Sequence, residues 1–114
     1  MILIVEDDEN ILEMYKDQGL TNVARAYDEA IWKICNMVSK YEPITLFCDG
    51  NIPNRVGGIS CSKYGLQVLE FAQLAGVKQR WITSGDYDIV QEALSKGLAT
   101  DTCRKENVKN MVQE

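Results

Sequence analysis

Residues able to do chemistry follow four separate short stretches of this 114-residue chain that are candidate strands. The stretches are 2–5, 44–48, 79–82 and 99–104, and the residues behind them are Glu6 with Asp7, Asp49, Thr83 and Lys105. The chain has no histidine, so its metal ligands are expected to be oxygens, which select a hard cation such as Mg²⁺ or Mn²⁺. A divalent cation, a nucleophilic carboxylate, a hydroxyl and a lysine together suit phosphoryl transfer.

The intervening pattern alternates short apolar strands with amphipathic helices. It predicts strands near 2–5, 23–27, 44–48, 79–82 and 99–104, and helices near 10–16, 30–41, 64–75, 89–94 and 107–112. Such alternation is typical of an α/β, flavodoxin-like, doubly wound five-stranded parallel sheet with strand order 2-1-3-4-5 and helices on both faces. Ligands bind such sheets where the winding reverses, at the carboxyl ends of strands one and three. Glu6, Asp7 and Asp49 should therefore converge there, with Thr83 and Lys105 beside them.

Each of these residues also has an ordinary structural reading. The acids after strand one can cap the next helix, Asp49 can be a turn residue, and Thr83 can be a helix N-cap. Capping does not explain three crowded carboxylates, because like charges at short range raise each other's pKa and cost stability. A cation among them removes that cost.

Composition indicates one globular domain. Hydrophobic residues make up 46% and charged residues 25%, and the net charge of −5 argues against direct binding to nucleic acid. The apolar runs are too short for a signal peptide or a membrane span, so a cytoplasmic protein is expected. The four cysteines show no metal-binding spacing, and the apolar runs around most of them predict small buried side chains.

Four segments, "ILIVEDDE", "FCDGNIP", "ITSGD" and "RK", occur in the order in which the receiver domain of bacterial two-component response regulators carries its motifs. The chain resembles that family over nearly its whole length. The resemblance implies a single receiver domain, 1–114, that stands alone and signals through protein contacts. It implies phosphate transfer from a histidine kinase or histidine phosphotransfer protein, an unknown downstream protein partner, no membrane, and a monomer or weak homodimer.

The resemblance also assigns roles to individual residues. Asp49 is the expected phosphoacceptor, exposed so that it can be phosphorylated, with Thr83 and Lys105 contacting the phosphoryl group. The metal site is expected to comprise Glu6, Asp7, Asp49 and the backbone carbonyl of Asn51, holding Mg²⁺ or Mn²⁺. The protein is then a phosphoacceptor and not an enzyme, apart from Mg²⁺-dependent self-phosphorylation from small donors and self-dephosphorylation. An alternative from another class is a small phosphohydrolase with an aspartyl nucleophile.

Two departures leave alternatives open. Counting along the chain puts the lysine role on Lys105 or on Arg104, and Thr102 or Asp101 stands where the family has an aromatic switch residue. The missing aromatic favours a pseudo-receiver, a binding module that keeps the fold without phosphorylation-driven switching. The long polar loop 54–64 is either a tolerated insertion or a docking element or lid.

Overall fold

The computed structural model describes residues 1–112. Its five parallel strands form one sheet in the order β2-β1-β3-β4-β5, as predicted. The strands are β1 Ile2–Val5, β2 Val23–Ala24, β3 Thr45–Cys48, β4 Gln79–Ile82 and β5 Asp101–Thr102. The expected α/β, flavodoxin-like class is therefore confirmed.

The register aligns the ends of the central strands. Val5 pairs with Cys48, and Cys48 pairs with Ile82. The ladder continues one residue further, because the Asp49 N–H donates to the Val5 carbonyl at 2.9 Å and the Thr83 N–H donates to the Cys48 carbonyl at 3.0 Å. The residues that follow the three strands therefore leave the sheet at the same edge.

Helices cover both faces of the sheet. They are α1 Glu9–Asp17, α2 Tyr27–Ser39, α3 Ser62–Leu74, α4 Tyr87–Ser95 and α5 Val108–Met111. Because side chains alternate along a strand, Leu3 and Leu46 pack with α2, α3 and α4, whereas Ile4 and Phe47 pack with α1 and α5 on the other face. Strands buried on both faces explain the continuous apolar runs of β1 and β3.

Several element boundaries differ from the sequence prediction. β2 ends at Ala24 instead of Tyr27, because the Tyr27 N–H already begins α2 by bonding to the Pro53 carbonyl at 2.9 Å. Helix α3 starts at Ser62, so the predicted loop 54–64 is shorter than expected. β5 shrinks to two residues, and a 3₁₀ turn, Lys105–Asn107, precedes α5.

The expectation about the cysteines was wrong in part. Cys48 is buried and Cys103 is half-buried, but Cys35 and Cys61 are exposed. Each lies on the outer side of its helix or loop, which an apolar run alone does not reveal.

Within residues 1–112, no helix combines the length and the apolar character that crossing a membrane requires.

Candidate phosphoryl-transfer and metal site

Three carboxylates meet at the carboxyl edge of the sheet. One ligand oxygen from each of Glu6, Asp7 and Asp49 lies within 4.8 Å of the other two. Glu6 and Asp7 follow β1, and Asp49 follows β3, so the strand order creates this juxtaposition between residues more than forty positions apart. The convergence predicted from the sequence is what the structure shows.

The helix-capping explanation is confirmed for one of the acids after β1, Asp8, but not for Glu6 or Asp7. Asp8 caps α1, accepting the N–H groups of Asn10 at 2.9 Å and Ile11 at 3.3 Å. Asp86 caps α4, so the reading of Thr83 as an N-cap is wrong. Glu6, Asp7 and Thr83 thus lack the simple role that each could have had.

Glu6 is almost completely buried. Its Oε2 accepts the backbone N–H groups of Asp7 and Asp8, both at 3.2 Å. Its Oε1 forms an ion pair with Lys105 Nζ at 2.8 Å. Oε1 is therefore a buried acceptor beside the acid cluster whose close polar partner is the Lys105 ammonium.

Lys105, and not Arg104, reaches the carboxylates. Lys105 Nζ lies 3.3 Å from Asp49 Oδ2 as well as 2.8 Å from Glu6. The Arg104 side chain is exposed and lies 3.9 Å from Glu106 on the surface. The 3₁₀ turn directs Lys105 inward, so of the two residues that the sequence left open the structure brings Lys105 to the site.

The electrostatics of the cluster disfavour several negative charges at once. Burial, together with the charge of Asp49, raises the pKa of Glu6 to about 7, although Lys105 opposes the shift. Burial likewise raises the pKa of Asp49, against the lowering effect of Lys105. Burial alone would lower the pKa of Lys105, but the interactions with Glu6 and Asp49 together raise it. One lysine therefore does not fully compensate the carboxylates.

Asp49 is less accessible to solvent than expected from the sequence. Only 7% of its surface is exposed, because the turn after it is packed closely. Gly50 lies against α3: a Cβ on Gly65 would stand 2.0 Å from the Gly50 carbonyl oxygen, and a Cβ on Gly50 would stand 2.6 Å from Ile89 Cγ2. Close packing around the Asp49 turn thus requires the absence of a Cβ at two glycines that lie on different elements. Neither contact is visible in local sequence spacing.

The remaining predicted residues lie around the same edge. Thr83 is buried at the end of β4, and Ser84, behind it, would contact a Cβ on Gly50 at 3.1 Å. The backbone of Asn51 acts on the Asp49 carboxylate to lower its pKa, against the effect of burial. The use of the Asn51 carbonyl as a metal ligand stays a prediction.

Two residues beside the site were missed. The hydroxyl of Ser60 donates to Asp7 Oδ2 at 2.6 Å, across 53 positions in sequence. The Tyr15 side chain, from α1, is fully buried under the site, and the nearby charge of Glu6 adds to burial in raising its pKa. No local motif indicates either contact, because both depend on how the loop and α1 fold over the strand ends.

The residues present fit a hard divalent cation. Three carboxylates offer oxygens within 4.8 Å of one another, and oxygens are the ligands that Mg²⁺ and Mn²⁺ prefer. A cation would also offset the charge that raises the pKa of Glu6 and Asp49. Both observations agree with the Mg²⁺ or Mn²⁺ expected from the ligand types.

Comparison with known proteins supports the fold. No protein-family model matches the sequence, and no curated protein matches it either. Among solved structures, the chain is similar to the Legionella pneumophila response regulator LqsR, with a TM-score of 0.67, 17% sequence identity and 97% of this chain covered. The chain spans 40% of the length of that protein. The resemblance to a response regulator is thus confirmed at the level of the fold.

Proposed function

We propose that residues 1–114 form one response-regulator receiver domain, cytoplasmic and phosphorylated on Asp49 in a Mg²⁺-dependent phosphorelay. The observation that carries the proposal is the placement of Lys105 Nζ within 3.3 Å of Asp49, inside a cluster of three carboxylates. Its donor is a histidine kinase or histidine phosphotransfer protein, and its output passes through contacts with another protein. The net charge of −5 does not favour binding to nucleic acid.

The chemistry follows from the arrangement of the side chains. A carboxylate oxygen of Asp49 attacks the phosphorus of a phosphohistidine, an O–P bond forms as the N–P bond breaks, and the imidazole nitrogen leaves with the bonding pair. Lys105 and the Thr83 hydroxyl bind oxygens of the transferred group. Glu6, Asp7 and Asp49, with the carbonyl of Asn51, would hold Mg²⁺, which would supply positive charge to the phosphoryl oxygens. Burial of Asp49 limits the access of bulk water to the acyl phosphate.

A second candidate is the pseudo-receiver, a binding module without phosphorylation-driven switching. It is favoured by β5, whose residues Asp101 and Thr102 are both exposed and carry no aromatic ring. The Thr102 hydroxyl donates to the Ile82 carbonyl at 2.8 Å, which ties this position to β4. Without a buried aromatic there, a change at Thr83 has no ring to move.

Phosphorylation from a small donor distinguishes the candidates. The protein is incubated with acetyl phosphate and Mg²⁺, and its intact mass is measured against that of Asp49→Asn. We expect one added phosphoryl group on the parent and none on the variant. Asp17→Asn, at the surface end of α1, is the matched control and should be labelled like the parent.

Absence of label on the parent, together with absence of beryllofluoride binding, would favour the pseudo-receiver. Continuous release of phosphate from a phosphomonoester would instead support the phosphohydrolase hypothesis.

A further inference from the structure

The segment 53–61 joins β3 to α3 and lies beside the acid cluster. Its Ser60 hydroxyl donates to Asp7 Oδ2 at 2.6 Å. The bond reaches one of the three carboxylates that converge at the sheet edge, and it comes from a part of the chain that contributes no ligand of its own. Ser60 is exposed, so the position of the hydroxyl depends on how firmly the segment is held.

Both ends of the segment are held. Ile52 and Cys61 form an antiparallel bridge, and the Cys61 N–H donates to the Ile52 carbonyl at 3.0 Å. Ser60 is therefore adjacent to a fixed backbone pair. We refer to residues 53–61 as the hairpin.

The hairpin also completes a helix. The N-cap of α2 is Ala26, which has no side chain able to accept the first N–H groups. The carbonyls of Pro53 and Asn54 take that place, accepting the N–H groups of Tyr27 at 2.9 Å and Asp28 at 3.0 Å. Removing the hairpin from its position would leave these donors unsatisfied, so its conformation is part of the fold.

We propose that Ser60 is a positioning residue for the metal site, acting through Asp7. The hydroxyl fixes one oxygen of the Asp7 carboxylate and leaves the other oriented for the cation. Partners of this kind restrict the orientation of a ligand, and their loss typically costs 10- to 100-fold in metal affinity. The inference rests on the proposed function, because it requires that the acid cluster binds a divalent ion.

The coupling works in both directions. If the hairpin improves cation binding, then cation binding must stabilise the hairpin by the same free energy. Metal occupancy would thus be communicated to the exposed side chains Val56 and Ile59 near the turn of the hairpin. A purely structural serine would not transmit occupancy in this way.

A Mn²⁺ titration followed by the electron paramagnetic resonance signal of the free ion measures affinity without relying on phosphorylation. We expect Ser60→Ala to weaken Mn²⁺ binding about tenfold, at the lower end of the usual range because Ser60 is exposed. Ser60→Thr keeps the hydroxyl and should bind within about twofold of the parent by the same reasoning. Ser95→Ala is the matched control, since that serine donates to the Glu92 carbonyl within α4.

Hydrogen exchange provides the second measurement. Mg²⁺ should slow amide exchange in the hairpin of the parent and of Ser60→Thr, and much less in Ser60→Ala.

The outcomes separate the two hypotheses. A parent protein that binds no Mn²⁺ defeats the proposed function itself. A parent that binds, with Ser60→Ala equally tight or tighter, overturns the role of Ser60 and leaves the receiver proposal standing. Equal losses in Ser60→Ala and Ser60→Thr also overturn it, because the hydroxyl is then not the cause.

Discussion

Opposite edges of the sheet each bury charged groups, but they satisfy them differently. At the carboxyl edge, Glu6 and Asp49 share Lys105, which is one cation for two buried carboxylates. At the amino edge, Arg80 lies near the start of β4 and is largely buried. Its guanidinium donates to the backbone carbonyls of three residues. These carbonyls are Val77 at 2.6 Å, Leu98 at 2.7 Å and Gly97 at 3.0 Å.

The difference indicates which buried charge is structural. The carbonyls around Arg80 follow the carboxyl ends of α3 and α4, where helix dipoles favour a cation. That arrangement is complete without any ligand. The acid cluster has three carboxylates around one lysine, so its negative charge is only partly offset within the described residues. Under the proposed function, a cation supplies the remaining positive charge. Buried charge by itself therefore does not indicate a ligand site, whereas buried charge without a sufficient partner is a candidate for one.

The largest expected effect on stability is at Arg80, whose hydrogen-bond partners all lie within the chain. Arg80→Met removes the donors while keeping an unbranched side chain. The carbonyls of Val77 and Leu98 lose their donor, whereas the Gly97 carbonyl keeps the one from Gln73 Nε2 at 3.2 Å. We expect a loss of about 3 kcal/mol in the free energy of unfolding, measured by urea denaturation. Phosphorylation of the folded protein should be unaffected.

The control for Arg80→Met is Lys78→Met, which removes an exposed positive charge two residues away and should cost less than about 0.5 kcal/mol. A small loss at Arg80 would mean that water replaces the guanidinium and that this edge is not more complete than the other.

The sequence predicts the fold because its signals are local and consistent. β1 and β3 are mostly apolar runs and α2 carries a regular apolar stripe. The order 2-1-3-4-5 is the common solution for five alternating strands and helices, and the structure has it. The acid cluster follows from the strand order, since residues directly after neighbouring parallel strands must share an edge. Element type and site composition are therefore predictable from the pattern.

Contacts made by loops and short elements are not predictable in the same way. Ser60 meets Asp7, and Gly65 meets Gly50, only after the hairpin and α3 have settled against the sheet. The burial of Asp49 depends on the same packing. The choice between Lys105 and Arg104 depends on a single 3₁₀ turn, which no periodicity indicates.

A smaller effect on stability is expected at Lys105, in the acid cluster. Lys105→Met leaves Glu6 and Asp49 buried without their cation, which would be strongly destabilising if both stayed ionised. Since the pKa of Glu6 is already raised to about 7, Glu6 can take up a proton instead. We expect the loss of unfolding free energy to be limited to about 1.5 kcal/mol at neutral pH, a little more than one pKa unit.

Mg²⁺ tests this explanation of Lys105→Met. Saturating Mg²⁺ should recover most of the stability, because the ion supplies the missing positive charge. Arg104→Met is the matched control and should be close to neutral, with or without Mg²⁺, since its side chain is exposed. Equal effects at the two positions would remove the reason for assigning the phosphoryl contact to Lys105.

The smallest effect, and the most diagnostic, is a change of sign at Asp49. Burial raises the pKa of Asp49 despite Lys105, so ionised Asp49 lowers the free energy of unfolding at neutral pH. Asp49→Asn removes that cost and leaves Lys105 paired with Glu6, so without metal we expect a gain of about 0.5 kcal/mol. With saturating Mg²⁺ the parent gains binding energy that the variant has lost with its carboxylate, and the parent becomes the more stable protein.

Urea denaturation of both proteins, in chelator and in Mg²⁺, measures this reversal of their relative stability. If Asp49→Asn is the less stable protein in both conditions, the acid cluster is already satisfied within the fold, in the manner of Arg80, and its interpretation as a cation site fails.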